Sequence, residues 1–248
     1  MSETYMAVFL NGKMRTIKSW MRKEMPPKKY TPTTRTGRNG WTRARKSMTD
    51  RLLMIFVKNP ELGKVKTRLA STLGDEKALE IYLHLLDHSR TISLQAQAEK
   101  AVFYSSFIDN NDNWNEDQFH KFVQEADDLG DRMANAFKTA FGLGYRSVVI
   151  MGSDCLEMTP EYINQAFEDL ENNDVCIGPA KDGGYVLLGM HKLHPQFFLN
   201  KTWSTDEVFP KTLQDIQSLK LSYSILPILS DVDYEEDLAH MGILNKKA

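Results

Sequence analysis

The chain has 248 residues, of which 42% are hydrophobic and 26% are charged, and its formal net charge at pH 7 is −2. These values are ordinary for a globular protein, and the length fits one or two domains. No run of residues approaches the roughly 18 consecutive apolar positions that a membrane-spanning helix needs, which excludes a predicted membrane span. With only two cysteines, the chain suits a reducing compartment, and a cytoplasmic location is expected.

The charge is divided unevenly along the chain. Residues 1–47 hold twelve Lys or Arg and two Glu, whereas residues 48–248 hold nineteen Lys or Arg and thirty-one Asp or Glu. Such a split is typical of a tail that is distinct from the folded body. Three interpretations compete: an arm for nucleic acid or acidic surfaces, a targeting segment, and an unstructured extension ahead of a start at Met48. We favour the extension, and we predict a disordered basic leader over 1–47 and one domain over 48–248.

The first strong strand pattern covers residues 52–58 and leads into a loop rich in positive charge. Gly63 lets the backbone approach a ligand closely, and Lys64, Lys66 and Arg68 can neutralise a diphosphate or triphosphate. The loop lacks the Gly-Lys-Ser/Thr ending of a P-loop. A loop of solvated lysines is the alternative, but the position directly after the first strand favours phosphate binding.

The middle of the chain alternates between helix and strand patterns. Helical periodicity covers residues 75–98 and 129–141, and strands are predicted over 101–106 and 119–125. The next strand, residues 148–151, is an unbroken apolar run that indicates burial on both faces of a sheet. It is followed by Asp154, which is interpreted either as a ligand-binding carboxylate at the carboxyl end of the sheet or as the cap of the next helix.

The last third continues the same alternation. Thr159 and Pro160 predict a helix start, and strands are expected over 175–178, 186–190 and 222–229. Ser204 or Thr205 is the expected N-cap of the intervening helix. The segment 231–237 holds five carboxylates in seven residues, and on its own it is simplest to interpret as a solvated acidic turn at a helix start.

Strands that alternate with helices predict a single α/β domain with a mostly parallel sheet. A cationic loop follows the first strand, and isolated carboxylates, Asp154, Asp182 and Asp233, follow later ones. A nucleoside diphosphate or triphosphate needs this combination, because Mg²⁺ prefers one or two protein carboxylates together with phosphate oxygens. Lys and Arg then offset the charge of the leaving phosphate.

Five motifs resemble the glycosyltransferase-like family also called radical-SAM/selenodomain-associated transferases. They are residues 56–69, Leu129-Gly-Asp-Arg-Met133, Gly152-Ser-Asp-Cys155, Gly178-Pro-Ala-Lys-Asp-Gly-Gly-Tyr185 and Trp203-Ser-Thr205. The family is similar to 2-phospho-lactate and molybdenum-cofactor guanylyltransferases. The resemblance implies a three-layer fold of the A-type nucleotide-diphospho-sugar transferase kind. The closing segment 231–237 is similar to the Asp-Thr-Pro-Glu-Asp-Leu ending of sugar nucleotidyltransferases.

The resemblance also implies roles for individual residues. Asp154, Asp182 and Lys66 are the expected catalytic residues, and Asp154 and Asp233 are the expected ligands of Mg²⁺ or Mn²⁺. Phosphate or nucleotide binding is expected of Lys58, Gly63, Lys66, Arg68, Asp131 and Arg132, and substrate binding of Gly183, Gly184, Tyr185, Trp203 and Thr205. A-type transferases usually carry an Asp-X-Asp pair, whereas Ser153-Asp154 supplies a single acid, so Asp233 is taken as the second ligand.

The implied activity is a metal-dependent transferase that uses a nucleotide-activated donor, preferably a nucleotide-sugar. The alternative is a nucleotidyltransferase that joins a nucleoside triphosphate to a phosphorylated small molecule. In both cases the partners are the nucleotide and a small-molecule acceptor. Nucleic acid is not expected as a partner, because the body is acidic, and the oligomeric state is left open, with a homodimer as one outcome.

Overall fold

A computed structural model describes residues 7–10, 13–16 and 50–240. The chain folds as two compact units, Met1–Lys46 and Ser47–Ala248. In the first unit, strands β1 (Ala7–Leu10) and β2 (Lys13–Thr16) pair in antiparallel fashion. The rest of the segment predicted as a disordered leader lies outside the described residues, so that prediction remains a prediction.

The second unit is built on a sheet of seven strands within the described residues. They are β3 (Arg51–Val57), β4 (Glu99–Tyr104), β5 (His120–Val123), β6 (Ser147–Met151), β7 (Val175–Pro179), β8 (Tyr185–Met190) and β9 (Tyr223–Ile225). Their order across the sheet is β5-β4-β3-β6-β8-β7-β9. Every pair is parallel except the two that involve β8, which confirms the mostly parallel sheet.

This unit also contains six α-helices within residues 50–240. They are α1 (Thr67–Leu73), α2 (Asp75–Leu94), α3 (Leu129–Gly142), α4 (Pro160–Asp169), α5 (Val208–Ser218) and α6 (Glu235–His240), with a short 3-10 helix at Pro195–Phe197. The predicted start of α4 is confirmed, because the Thr159 side chain accepts a hydrogen bond from the Tyr162 N–H at 3.2 Å. The predicted N-cap of α5 at Ser204 or Thr205 is wrong, since that helix begins at Val208.

Helices cover both faces of the sheet. Leu53 and Ile55 of β3 belong to one buried cluster together with residues of α2 and α4. Leu52 and Met54 of the same strand belong to a second cluster, with residues of α3 and α5. Successive side chains of a strand point to opposite faces, so burial on both sides explains the unbroken apolar runs of β3 and β6. The three-layer α/β/α architecture is confirmed.

Strand β8 runs against its neighbours because the connection from β7 is only the turn over residues 180–184. A parallel pairing would need a crossover of a dozen or more residues. The Gly183 N–H donates to the Ala180 carbonyl at 3.2 Å, and the Ala180 N–H donates to the Gly184 carbonyl at 3.0 Å. This turn therefore lies at the same edge of the sheet as the carboxyl ends of β3, β6 and β7, where the predicted site residues follow their strands.

Among the described residues, none of the helices combines the length and the apolar character that a bilayer crossing requires.

Candidate active site

The loop that follows β3 is fixed at both ends. At its start, the Tyr82 hydroxyl accepts a hydrogen bond from the Lys58 N–H at 2.7 Å and donates to the Lys58 carbonyl at 3.0 Å. At its end, Lys66 is the N-cap residue of α1 and takes a left-handed backbone conformation, with φ 47° and ψ 47°. That conformation costs a non-glycine residue about 1–2 kcal/mol. The loop therefore delivers Lys66 from a defined and strained backbone position.

The Lys66 ammonium lies between two carboxylates. Its Nζ is 3.0 Å from Asp154 Oδ2 and 3.1 Å from Asp233 Oδ1. The Lys66 side chain is 4% exposed, whereas Asp154 and Asp233 are 41% and 30% exposed. The second oxygen of Asp233 accepts from Arg68 Nη1 at 2.8 Å, and the Arg68 guanidinium lies 5.6 Å from the centre of the Tyr234 ring. Cations of the first loop and acids of two distant segments thus meet in one group.

Asp154 follows β6 but does not cap a helix, because α4 begins six positions later and is capped by Thr159. The backbone of Asp154 has another partner, since its carbonyl accepts from the Val232 N–H at 2.9 Å. This bond attaches the acidic segment 231–233 to the end of β6. The structure therefore excludes the interpretation of Asp154 as a helix cap, and its role as a ligand-binding carboxylate remains a prediction.

The acidic segment divides its carboxylates between two tasks. Asp237 Oδ2 accepts hydrogen bonds from the backbone N–H groups of Asp233 at 2.9 Å and Tyr234 at 2.8 Å, which stabilises the start of α6. Asp233 itself points to Lys66 and Arg68. The interpretation of 231–237 as a solvated turn therefore holds for the exposed Glu235 and Glu236 but not for Asp231, which is largely buried, or for Asp233.

Carboxylates outnumber the cations that contact them here. Burial, helped by the nearby charges of Asp154, Asp182 and Asp233 and opposed by Lys66, raises the pKa of Asp231 to about 7. Burial on its own would lower the pKa of the Lys66 ammonium, but Asp154 and Asp233 outweigh it and the pKa is raised. The site therefore holds a charged lysine in a surplus of negative charge.

The turn before β8 forms a second part of the candidate site. Asp182 Oδ1 accepts from the Gly184 N–H at 2.9 Å. Gly183 has φ 87°, and a Cβ placed there would lie 2.3 Å from the Asp206 Cα, so this close approach requires glycine. The Phe209 N–H donates to the Gly183 carbonyl at 2.8 Å. Together these interactions hold the turn against the segment that leads into α5.

Tyr185 and Trp203 form an aromatic pair beside this turn. Their rings are 6.5 Å apart between centroids and nearly perpendicular. The Tyr185 hydroxyl donates to the Met133 sulfur at 3.8 Å, and a Cβ at Gly130 would lie 2.6 Å from Trp203 Cζ2. The structure thus joins the start of α3, the start of β8 and the Trp203 segment.

Other residues predicted for the site are not hydrogen-bonded or ion-paired to Lys66, Arg68, Asp154 or Asp233 within residues 50–240. Lys58, Gly63 and Asp131 are exposed. Arg132 donates through Nε to the Ala126 carbonyl at 2.7 Å, and Thr205 donates to the Thr202 carbonyl at 2.7 Å. Their expected roles toward phosphate or substrate remain predictions.

Two residues with a part in the site are missed by sequence reasoning. Helical periodicity marks Tyr82 only as an apolar position, and nothing in the pattern shows that its hydroxyl binds the backbone of Lys58. Tyr234 lies inside the acidic segment, where the carboxylates are the more conspicuous residues. Its position directly after Asp233 is the available signal that its ring lies near the cations.

The donor atoms fit a divalent ion only if a ligand completes the coordination. Asp154 and Asp233 are both within 3.1 Å of one nitrogen and are partly open to solvent. No group of three or more His, Cys, Asp or Glu in the described part of the chain is placed to hold a metal. Two carboxylates plus phosphate oxygens are the usual surroundings of Mg²⁺ in nucleotide-dependent enzymes.

Two surface cavities of about 540 and 620 Å³ lie elsewhere and include none of the predicted site residues.

Comparison with known proteins adds a family and a fold. Residues 86–205 match the family DUF2064, described as "Uncharacterized protein conserved in bacteria". A protein of Desulfovibrio desulfuricans G20, which carries the provisional name of a nucleotide-diphospho-sugar transferase, is 32% identical. The alignment covers 81% of this chain and 90% of that one, with a TM-score of 0.71. The expected fold type is thereby confirmed, while the radical-SAM association stays a prediction.

More distant structures were also found. The Rv0371c homologue of Mycobacterium sp. strain JC1 is 12% identical, over 77% of this chain and 94% of that one, with a TM-score of 0.49. The inositol-1-phosphate CTP transferase of T. maritima is 11% identical, over 77% and 93%, with a TM-score of 0.48. None of the proteins of curated function matches the chain.

Proposed function

We propose that this chain, which belongs to the DUF2064 family, is a metal-dependent transferase that takes a group from a nucleotide-activated donor. The preferred donor is a nucleotide-sugar, and the accepting partner is a small molecule. The observation that carries the proposal is the meeting of Lys66 and Arg68 with Asp154 and Asp233 at the carboxyl edge of the sheet. Open α/β sheets bind their ligands at this edge.

The cations of the first loop are assigned to the phosphates of the donor. Lys66 and Arg68 are close enough to act together, since both contact Asp233. Lys58 lies at the start of the same loop, and Asp131 and Arg132 lie at the start of α3. Of these, the positive side chains of Lys58 and Arg132 would stabilise the charge that develops on a departing diphosphate, and Asp131 is assigned to the nucleotide beside them.

Asp154 and Asp233 are the residues that would hold Mg²⁺ or Mn²⁺, with phosphate oxygens as the remaining ligands. When bound, the divalent ion would neutralise phosphate charge and orient the diphosphate. The support for this assignment is the pair of convergent, partly exposed carboxylates in a surplus of negative charge. The similar Desulfovibrio protein is named for nucleotide-sugar transfer, which agrees with such a donor.

The transferred sugar is assigned to the turn before β8 and its aromatic neighbours. Gly183 and Gly184 are assigned to the sugar through the turn that they form, since the space beside Gly183 is taken by the Asp206 backbone, and Tyr185 and Trp203 offer ring faces for packing. In the proposed reaction an acceptor hydroxyl attacks the anomeric carbon of the sugar. The bond between that carbon and the phosphate oxygen breaks, and the nucleoside diphosphate leaves. Asp182, which is exposed, would take the proton of the hydroxyl.

Nucleotidyl transfer is the second candidate, because two cations that share Asp233 also suit pyrophosphate as a leaving group. In that reaction a phosphorylated small molecule attacks the α-phosphate of a nucleoside triphosphate, and pyrophosphate leaves.

Thermal denaturation with Mn²⁺ and a panel of nucleotides tests the proposal. UDP-, GDP- and ADP-sugars are compared with GTP and CTP, and the nucleotide-sugar reaction predicts a rise in Tm with at least one of the sugars. Stabilisation by triphosphates alone would reject sugar transfer in favour of nucleotidyl transfer. No stabilisation by any nucleotide, with or without Mn²⁺, would contradict both reactions.

A further inference from the structure

Lys66 stands where a metal ion shared by Asp154 and Asp233 would have to bind. Both carboxylates direct an oxygen to its Nζ, at 3.0 and 3.1 Å. A divalent ion held by the same two oxygens would lie within a few ångströms of the ammonium, and two positive groups at that distance repel each other strongly. The lysine and the metal therefore compete for the same pair of carboxylates.

The backbone of Lys66 is fixed, but its side chain is able to change direction. The Lys66 carbonyl accepts from the Ala70 N–H at 2.8 Å, which locks the residue to the first turn of α1. The four-carbon stem beyond it has rotatable bonds and carries a point charge that can pair with either a phosphate or a carboxylate. The ammonium can move from one anion to another without any movement of the loop.

The carboxylates of the site repel one another, so a nearby cation stabilises them. Asp154, Asp182, Asp231 and Asp233 lie near one another, and Lys66 is the buried cation among them. Arg68 contacts Asp233 but is 49% exposed, so it neutralises less of the buried charge. Before a metal binds, Lys66 is the group that keeps the mutual repulsion of the acids in check.

We infer that Lys66 is an exchangeable cation: it pairs with Asp154 and Asp233 while the nucleotide site is empty, and it releases them to a divalent ion when a diphosphate offers it another partner. Metal and diphosphate would then bind cooperatively, since each removes an obstacle to the other. The inference rests on the proposed function for the identity of the diphosphate. The competition between Lys66 and the metal does not depend on it.

The alternative is a fixed lysine that holds the carboxylates in the geometry the metal requires. The two arrangements predict opposite effects of Lys66→Met, which removes the charge and keeps much of the stem. An exchangeable lysine predicts tighter binding of Mn²⁺ alone, by about tenfold, because the repulsion is gone. A fixed clamp predicts weaker binding, because the carboxylates separate.

The test measures the Kd for Mn²⁺ from the electron paramagnetic resonance signal of the free ion, without nucleotide. Lys121→Met is the matched control, because Lys121 is also buried, at 7% exposure, and also ion-paired, with Asp112 at 2.7 Å. We expect the Kd of Lys66→Met to fall about tenfold and that of Lys121→Met to stay within about twofold of the unaltered protein. An unchanged or higher Kd in Lys66→Met overturns the inference.

A second arm adds inorganic pyrophosphate, a diphosphate without a base or sugar. In the unaltered protein we expect pyrophosphate to tighten Mn²⁺ binding by about tenfold, and in Lys66→Met we expect most of this coupling to be lost. If nothing phosphorylated binds the unaltered protein, the proposed function fails, but the Mn²⁺ measurement still decides the competition. If Lys66→Met does not fold, the ¹⁵Nζ resonance of Lys66 in the unaltered protein decides: no shift upon addition of Mg²⁺ with pyrophosphate overturns the exchange.

Discussion

The Val232 N–H donates to the carbonyl of Asp154 at 2.9 Å, and this single backbone bond joins the closing acidic segment to the end of β6. It lies directly beside Asp233, which contacts the same Lys66 ammonium as Asp154 does. The bond uses main-chain atoms only, so the carboxylate of Asp154 stays available. Substitutions of that side chain therefore test function without removing the connection.

Replacing Asp154 by Asn should abolish metal-dependent nucleotide binding while the fold survives. The substitution removes one of the two proposed metal ligands, and we expect at least a tenfold loss of apparent affinity, about 1.4 kcal/mol. Since Asp154 is 41% exposed, the free energy of unfolding should change by less than about 1 kcal/mol. Calorimetric titration with Mn²⁺ and the nucleotide found by thermal screening measures the affinity. Urea denaturation measures the free energy of unfolding.

Asp117→Asn is the control for this experiment, because it makes the same change of charge at an exposed position in the loop before β5. It should leave nucleotide binding unaltered. Equal metal-dependent affinity in Asp154→Asn and the unaltered protein would show that the metal assignment is wrong.

Gly183→Ala should destabilise the protein by about 2–4 kcal/mol or prevent folding. The alanine Cβ would lie 2.3 Å from the Asp206 Cα, in addition to the strain of a φ of 87°. Gly144→Ala separates the steric clash from the backbone strain. Gly144 has a positive φ of 98°, but nothing lies within 4 Å of an added Cβ. Its cost should be limited to about 1–2 kcal/mol. Equal midpoints of urea denaturation for the two variants would refute the close approach.

Gly130→Ala should disturb the aromatic pair of Tyr185 and Trp203. The added Cβ would lie 2.6 Å from Trp203 Cζ2 and 2.7 Å from the Phe198 carbonyl oxygen, and the latter is backbone that cannot turn away. We expect a loss of about 1–3 kcal/mol in the free energy of unfolding. Gly142→Ala, in the same helix with open space around it, should be neutral or stabilising by up to about 1 kcal/mol. The prediction fails if the two variants unfold at the same urea concentration.

Asp174→Asn should lower stability at pH 7 but not at low pH. The Asp174 carboxylate accepts hydrogen bonds from the Ser222 hydroxyl at 2.7 Å and the Ser222 N–H at 2.9 Å, and these bonds lower its pKa below the ordinary 3.8. A carboxyl whose pKa is lower in the folded state stabilises the fold above its unfolded pKa, and the contribution is lost as the pH falls through the folded pKa.

The pH experiment compares the urea denaturation of Asp174→Asn with that of the unaltered protein at pH 7 and near pH 2. The two proteins should differ at pH 7 and converge at the lower value. A difference of the same size at both pH values would mean that the charge of Asp174 does not contribute.

Most of the sheet can be predicted from the sequence because the physical signals are local. Residues buried on both faces must be apolar without alternation, so β3 and β6 stand out as apolar runs. Thr159 and Pro160 fix the start of α4 in the same local way. The proximity of Lys66 and Asp154 also follows from the sequence, since both come after strands that end at one edge of the sheet.

Other features depend on interactions that no local pattern carries. Helix α5 begins later than Thr205 because the hydroxyl of that residue donates to the Thr202 carbonyl, and because Ser204 has a positive φ of 63°. The place of Asp233 rests on a resemblance, since a run of five carboxylates does not show which of them turns inward. That Lys66 bridges two acids is not predictable, because a loop of cations indicates only that anions lie near it.

The order in which the pieces of the site are synthesised follows from the position of Asp233. It comes after β9, the last strand in chain order, whereas Lys66 comes just after β3. A growing polypeptide on the ribosome therefore displays its lysine loop long before the acid that completes the bridge. Until that late segment emerges, the nascent chain holds Lys66 without one of its two carboxylate partners.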